Sequence, residues 1–240
     1  MTASSSTARV GRPIVLVPGF WLGAWAWDEV ADRLRAGGHD VTALTLPGLE
    51  DVASDRSAVT LADHVDAIVE GVRATGDRVV LVVHSASGFS GYAASDRVPD
   101  RIARMVYVDS AAGKGALDPG FTDVEKPLAW DEIEEEENLD GLSADHIDAF
   151  RRRAVPVPGG VLRGQVDLTN DDRRDIPTTI ICTGFPSEQL KKAAFESDWP
   201  WLAGIPELRN VEWVDLPTSH WPMWSKPDEL ASLLSELARR

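Results

Sequence analysis

The sequence is poor in cysteine. Cys182 is the only cysteine among 240 residues, which excludes an internal disulfide and makes a cysteine-based metal site implausible. It stands in the apolar run Thr178–Cys182 and is interpreted as core packing. No apolar run approaches the length of a membrane span. The opening segment Met1–Arg9 is polar and rich in serine and threonine, so it is interpreted as a disordered leader and not as a signal peptide.

Basic residues are also few. Against 39 acidic residues there are 24 lysines and arginines, which gives a net charge of −15. This balance argues against binding to nucleic acid or to anionic membranes. The sequence has no Gly-rich phosphate loop and no metal-ligand spacing, so we expect no cofactor and no metal. The remaining expectation is a cytoplasmic protein that acts on a small molecule.

Short apolar, β-branched runs alternate with amphipathic segments, as in a parallel sheet covered by helices on both faces. The predicted strands are Ile14–Val17, Val41–Leu46, Val79–Val83, Met105–Val108, Thr178–Cys182 and Val211–Leu216. The predicted helices are Ala24–Ala36, Leu61–Thr75, Ser87–Arg97 and Asp228–Arg239. The pattern therefore predicts an α/β fold with a mostly parallel sheet.

One segment, residues 112–175, interrupts this alternation. It has no strong buried strand, and it contains Gly and Pro punctuation, an acidic run at Asp131–Glu137 and an amphipathic stretch at Ser143–Arg153. We interpret it as a helical cap inserted into a core made of residues 1–111 and 176–240. Within the cap, Glu134–Glu137 is interpreted as a solvated helix face.

The segment Val83–Gly88 carries the strongest chemical signal. Ser85 lies between the run ending at Val83 and the small-residue segment that follows, where a sharp strand-to-helix turn exposes a serine hydroxyl. Val83 and Ser87 stand at the two glycine positions of the Gly-x-Ser-x-Gly consensus, and Gly88 is expected to permit the close helix approach instead. A plain loop with a helix cap is the competing interpretation.

Nucleophilic acyl transfer also needs a base and donors for an oxyanion. His220 is the candidate base, because it alone among five histidines follows a predicted strand and precedes the last helix. The backbone N–H of Ala86 follows the nucleophile directly. The turn Val17-Pro18-Gly19-Phe20-Trp21 is expected to supply the second donor, the N–H of Phe20.

Together these residues resemble the α/β-hydrolase superfamily over almost the entire chain. Leu16–Phe20 resembles its oxyanion segment, and Ser219-His220-Trp221-Pro222 resembles its histidine turn. The sequence is most similar to small esterases of the plant methylesterase and hydroxynitrile-lyase type. The lyases carry a lysine after the histidine, where this chain has Trp221, so cyanohydrin cleavage is disfavoured.

The acid of the triad has two candidates. The family usually keeps an aspartate after the penultimate strand, but the loop after Cys182 offers only Glu188. Asp109 follows the next strand after Ser85, a position at which some superfamily lipases, lactonases and cofactor-independent dioxygenases keep their acid. We favour Asp109, because a shorter carboxylate at a strand end is better fixed.

Nine tryptophans are many for a chain with two tyrosines. Trp21, Leu22, Trp130 and Trp221 are the candidates for a pocket wall, which would favour a hydrophobic or aromatic ester or lactone. The resemblance thus implies a serine hydrolase that works through an acyl-enzyme on Ser85. Two alternatives are a cofactor-independent dioxygenase using a His–Asp pair and a degenerate hydrolase that only binds a ligand.

Overall fold

The computed structural model describes residues 10–165 and 167–240, so the predicted leader lies outside the described residues. The strands are β1 (Ile14–Val17), β2 (Val41–Ala43), β3 (Val79–His84), β4 (Ile102–Val108), β5 (Glu125–Lys126), β6 (Val157–Pro158), β7 (Thr178–Cys182) and β8 (Val211–Asp215). Six of them form a parallel sheet in the order β2-β1-β3-β4-β7-β8, and β5 pairs with β6 in an antiparallel hairpin.

Helices cover both faces of this sheet. They are α1 (Asp28–Ala36), α2 (Leu61–Ala74), α3 (Ser87–Arg97), α4 (Trp130–Glu136), α5 (Ala144–Arg153), α6 (Gly159–Arg163), α7 (Ser187–Glu196), α8 (Pro222–Ser225) and α9 (Pro227–Arg239). Alternate residues of β1 enter two separate apolar clusters: Val15 packs with α2 and α3, whereas Leu16 packs with α1 and α9. Successive side chains of a strand point to opposite faces, so each face buries one of these layers.

The predicted fold class is confirmed. Ile14–Val17, Thr178–Cys182 and Ser87–Arg97 have the predicted bounds, because each combines a continuous buried pattern with a clear terminus. The second strand was predicted to continue to Leu46 but ends at Ala43. The first predicted helix is divided, with a 3-10 turn at Ala24–Trp27 before α1.

Between β4 and β7 the chain forms the β5–β6 hairpin and the helices α4, α5 and α6. The boundaries of the cap at residues 112 and 175 stay a prediction. Ser143 begins α5 with a capping box, in which its hydroxyl accepts the N–H of His146. Among the described residues, no helix is both long and apolar enough to cross a membrane.

Candidate active site

Ser85 occupies a sharp turn between β3 and α3. Its φ angle is +54°, a left-handed conformation that a non-glycine residue adopts only under local constraint. The N–H of Ser85 donates to the carbonyl of Val108 at 3.2 Å, and its own carbonyl accepts the N–H of Gly88 at 3.0 Å. The backbone on both sides is therefore held, and the side chain projects from the carboxyl end of the sheet.

This turn forms without the two consensus glycines because other glycines provide the space. A Cβ on Gly91 would lie 2.5 Å from Cγ1 of Val83. The side chain of Val83, at the first consensus position, therefore occupies the space that the missing side chain of Gly91 leaves on α3. A Cβ on Gly88 would lie 2.2 Å from the carbonyl oxygen of Ala111. The close approach of α3 to the sheet thus depends on Gly88 and Gly91.

Ser87, at the second consensus position, connects two parts of the site. Its buried hydroxyl donates a short hydrogen bond to the carbonyl of Pro18 in the turn after β1. In the same turn, a Cβ on Gly19 would lie 2.8 Å from Cβ of Ser85. The turn is therefore packed directly against Ser85 and hydrogen-bonded to the start of α3.

The candidate oxyanion donors border the same space. Phe20 and Ala86 both line the cavity above Ser85. No acceptor within the described part of the chain takes the backbone N–H of either residue. Two free N–H groups beside a nucleophile are what a developing alkoxide needs.

His220 links the hydroxyl of Ser85 to a carboxylate. Its Nε2 lies 2.9 Å from Oγ of Ser85, and its Nδ1 lies 2.6 Å from Oδ2 of Asp109. Both His220 and Asp109 are largely buried, with 15% of each side chain exposed. Asp109 follows β4 directly and, like Ser85, has a positive φ angle, +42°. Three segments far apart in the chain thus meet at the carboxyl end of the sheet.

Asp109 is held in its charged form. Its Oδ1 accepts the backbone N–H groups of Thr183 and Gly184 at 3.0 and 3.2 Å. Burial raises the pKa of this carboxyl, but the hydrogen bond and charge of His220 and the donors at Thr183 lower it well below the usual range. Conversely, burial lowers the pKa of His220, yet Asp109 outweighs this effect and the pKa is raised.

The other candidate acid does not reach the histidine. Glu188 is in the first turn of α7, with 84% of its side chain exposed, and its carboxylate pairs with Lys191 at 2.6 Å. A solvated carboxylate with its own cation has no means of orienting His220. The contact between Asp109 and His220 therefore favours Asp109 as the acid.

Two further residues, which the sequence did not single out, hold the histidine loop. Nε2 of His84 lies 2.7 Å from the carbonyl oxygen of His220, so that nitrogen is the donor and carries the proton. Burial, and then the charge of His220, keep the pKa of His84 well below the ordinary value, so it stays neutral. From the other side, the N–H of His220 donates to the carbonyl of Asn138 at 3.0 Å.

A cavity of about 410 Å³ opens above Ser85, within the range of small-molecule sites. Trp21 and Trp221 are in its wall, as predicted from the sequence. Seven further large apolar residues in the wall were not predicted, since no local pattern marks them: Phe89, Leu117, Ile133, Leu162, Phe185, Leu190 and Trp201.

Two predicted wall residues are wrong. Leu22 is fully buried in the apolar layer shared with α1 and α9, beneath the site and not in the cavity. Trp130 packs edge-on against Phe150 and stacks under the guanidinium of Arg151, and its indole N–H donates to Glu134 at 2.6 Å. Both side chains pack against elements that are distant in the sequence, so their positions could not be predicted from neighbouring residues.

The interpretation of Glu134–Glu137 as a solvated face agrees with the exposed Glu134, Glu135 and Glu136 but is wrong for Glu137, which is only partly exposed. Glu137 lines the cavity, and its Oε2 lies 3.7 Å from Nδ1 of His220. In the described residues, no group of three or more His, Cys, Asp or Glu side chains is arranged to hold a metal ion.

Comparison with known proteins identifies the family of the chain. Residues 14–233 match the family model described as alpha/beta hydrolase family. Methylesterase 4 of Arabidopsis thaliana is 36% identical, over 95% of this chain and 96% of its own length. Methylesterase 7 of the same plant is 27% identical, over 95% of this chain and 96% of its own.

A solved structure has the same fold. An extracellular alpha/beta-hydrolase from a Paenibacillus species superposes with a TM-score of 0.75 at 21% identity, covering 95% of this chain and 100% of that one. At this identity the likeness concerns the fold alone.

Proposed function

The chain belongs to the alpha/beta hydrolase family and is similar to plant methylesterases, and from that membership we propose that it hydrolyses carboxylic esters through an acyl-enzyme on Ser85. One observation carries the proposal: a continuous hydrogen-bonded path from Oγ of Ser85 through His220 to the charged carboxylate of Asp109. Such a path gives a serine hydroxyl the base that it needs to attack a carbonyl carbon.

In this proposal, Ser85 Oγ attacks the ester carbonyl while its proton passes to Nε2 of His220. Asp109 holds the imidazole by Nδ1–H and stabilises the imidazolium. The N–H groups of Phe20 and Ala86 bind the oxyanion. The imidazolium then protonates the leaving alcohol, and a water molecule activated by His220 releases the acid from Ser85.

The substrate class follows from the cavity wall. Aromatic and aliphatic side chains dominate around Ser85, and the volume of about 410 Å³ suits an acyl group of one ring or a medium chain. Because the similar plant proteins are named methylesterases, methyl and other small alkyl esters of hydrophobic acids are the first substrates to test. Lactones of similar size are the second class.

The test is labelling with a fluorophosphonate probe, followed by a panel of methyl esters, aryl esters and lactones. Ser85 is expected to carry the label, and Ser85→Ala and His220→Ala are expected to lose labelling and turnover together. Tighter binding of aromatic or medium-chain acyl esters than of acetates is expected. Absence of both labelling and turnover would contradict the proposal and favour a protein that only binds its ligand.

A dioxygenase using the His220–Asp109 pair is the enzymatic alternative. Its deprotonation step would need the imidazole to be free for the substrate, whereas Nε2 is bonded to Oγ of Ser85. Oxygen consumption with a heteroaromatic substrate, without labelling of Ser85, would be the result that favours it.

A further inference from the structure

Glu137 reaches the catalytic histidine from the segment predicted to be a cap. It directly follows α4, where the backbone turns from helix to extended structure, and its N–H donates to the carbonyl of Ile133 at 3.0 Å. Its side chain is about one third exposed, and Oε2 lies 3.7 Å from Nδ1 of His220. Nδ1 is the nitrogen that also bonds Asp109, so two carboxylates face one side of the imidazole.

Backbone and amide contacts fix Glu137 in this position. The carbonyl of the next residue, Asn138, accepts the N–H of His220 at 3.0 Å, and its side-chain amide donates to the carbonyl of Thr218 at 3.2 Å. The histidine loop and the residues after α4 are therefore joined by two hydrogen bonds. The approach of Glu137 to His220 follows from this connection.

We propose that Glu137 is a positioning residue that acts beside Asp109 as a second carboxylate for His220 and stabilises the imidazolium. The inference deepens the esterase proposal and rests on it. Asp109 makes the short, directional hydrogen bond, and Glu137 adds a second negative charge that can move to Nδ1 when Asp109 is removed. Since Ile133 and Glu137 both line the cavity, the second charge belongs to a segment that forms part of the cavity wall.

The surrounding charges agree with this role. The groups that face His220 are Asp109 after β4, Glu137 after α4 and the neutral His84 at the end of β3. The pKa of Glu137 lies above its ordinary value: burial raises it most, the charge of His220 lowers it, and the charges of Asp109 and Glu136 raise it further. Glu137 is therefore most firmly ionised when His220 carries its proton, which is the state formed as Ser85 attacks.

The first test measures the pKa of the His220 imidazole by NMR in the free enzyme, in wild type, Glu137→Gln and Glu137→Asp. Removal of the second charge is expected to lower that pKa by about 1 unit, and Glu137→Asp should restore part of the difference. Glu135→Gln is the matched control, because it removes a charge from the same acidic run and Glu135 does not line the cavity. An unchanged His220 pKa in Glu137→Gln would overturn the proposal.

The second test uses ester turnover. The acid limb of the kcat/KM profile should move to lower pH in Glu137→Gln by the same amount as the NMR pKa, with kcat reduced about fivefold and KM little changed. Asp109→Ala should retain about tenfold more activity than Asp109→Ala/Glu137→Gln, because Glu137 replaces the lost acid only in the single variant. Equal activity of the two would overturn the role as a second acid.

The two proposals fail in different ways. If wild type cleaves no ester or lactone, the esterase proposal is wrong, and the NMR titration still decides whether Glu137 acts on His220. If the wild type turns over esters and the pKa of His220 is unchanged in Glu137→Gln, only the proposed role of Glu137 is wrong.

Discussion

Asp109→Asn should disable the site through the tautomer of His220, not through loss of structure. The Oδ1 atom of Asp109 accepts two backbone N–H groups, from Thr183 and Gly184. Only an oxygen can accept them, so the amide introduced by the substitution must keep its oxygen there and turn its NH2 group toward His220. Nδ1 then has to accept a hydrogen bond, which leaves the proton on Nε2.

A proton on Nε2 points at Oγ of Ser85, 2.9 Å away. The imidazole then donates to the nucleophile and cannot take its proton. The same substitution in a serine protease triad lowers kcat about 10⁴-fold, and we expect a loss of 10³- to 10⁴-fold, or roughly 4 to 5.5 kcal/mol of transition-state stabilisation. Asp109→Ala imposes no such tautomer and should be more active than Asp109→Asn.

The assay is steady-state hydrolysis of an activated aryl ester, with thermal unfolding measured on the same samples. Asp215→Asn is the matched control: it neutralises a carboxylate at the end of β8 that caps α7 through Ser187 and does not contact His220. It should keep turnover within about twofold of wild type. More than a tenth of wild-type turnover in Asp109→Asn would refute the tautomer argument.

Three further predictions concern the turn at Ser85 and the core. Gly91→Ala brings a methyl group against Val83 and should cost about 1–3 kcal/mol of unfolding free energy in urea, with partial recovery in Val83→Ala/Gly91→Ala; full wild-type stability in the single variant would contradict the packing. Ser87→Ala frees the carbonyl of Pro18 and should lower kcat about tenfold with little change in KM; a change confined to KM would be evidence against an oxyanion-turn role. Burial lowers the pKa of His64 to about 4, whereas in the unfolded chain it is about 6.5. Between these values the unfolded chain binds more protons than the folded one. The unfolding free energy should therefore fall by about 2 kcal/mol from pH 7 to pH 5 through this group. His64→Gln should remove that portion of the slope, and an unaltered slope would refute the assignment.

Much of the fold can be predicted from the sequence because the central strands are buried on both faces and form continuous apolar runs. Thr178–Cys182 is a continuous apolar and β-branched run, and its predicted bounds agree with the structure. The end of the edge strand β2 was predicted less well. This strand pairs with β1 alone, and the chain leaves β1 after the N–H of Leu44 donates to the carbonyl of Leu16. The residue at which a strand ends depends on where its pairing partner ends, and a single sequence does not show which strands pair.

The site divides in the same way. The meeting of Ser85, Asp109 and His220 could be predicted because each follows an apolar run, and the carboxyl ends of parallel strands meet at one edge of the sheet. Trp130 and Glu137 could not, because their surroundings depend on how α4 packs against distant elements. Both lie in or beside an acidic helical run, yet Trp130 packs on α5 and Glu137 turns toward His220.

The position of Asp109 shows how a carboxylate on a neighbouring strand can reach the same histidine. The family resemblance implies an aspartate after the penultimate strand, where this chain has Thr183 and Gly184. Those residues donate their N–H groups to Asp109 at the neighbouring strand end, and a Cβ on Gly184 would lie 3.8 Å from Oδ2 of Asp109, in ordinary van der Waals contact. The two strand ends thus border one small volume beside Nδ1 of His220. An acid placed on either strand can fill that volume, provided that the other strand leaves room and supplies donors.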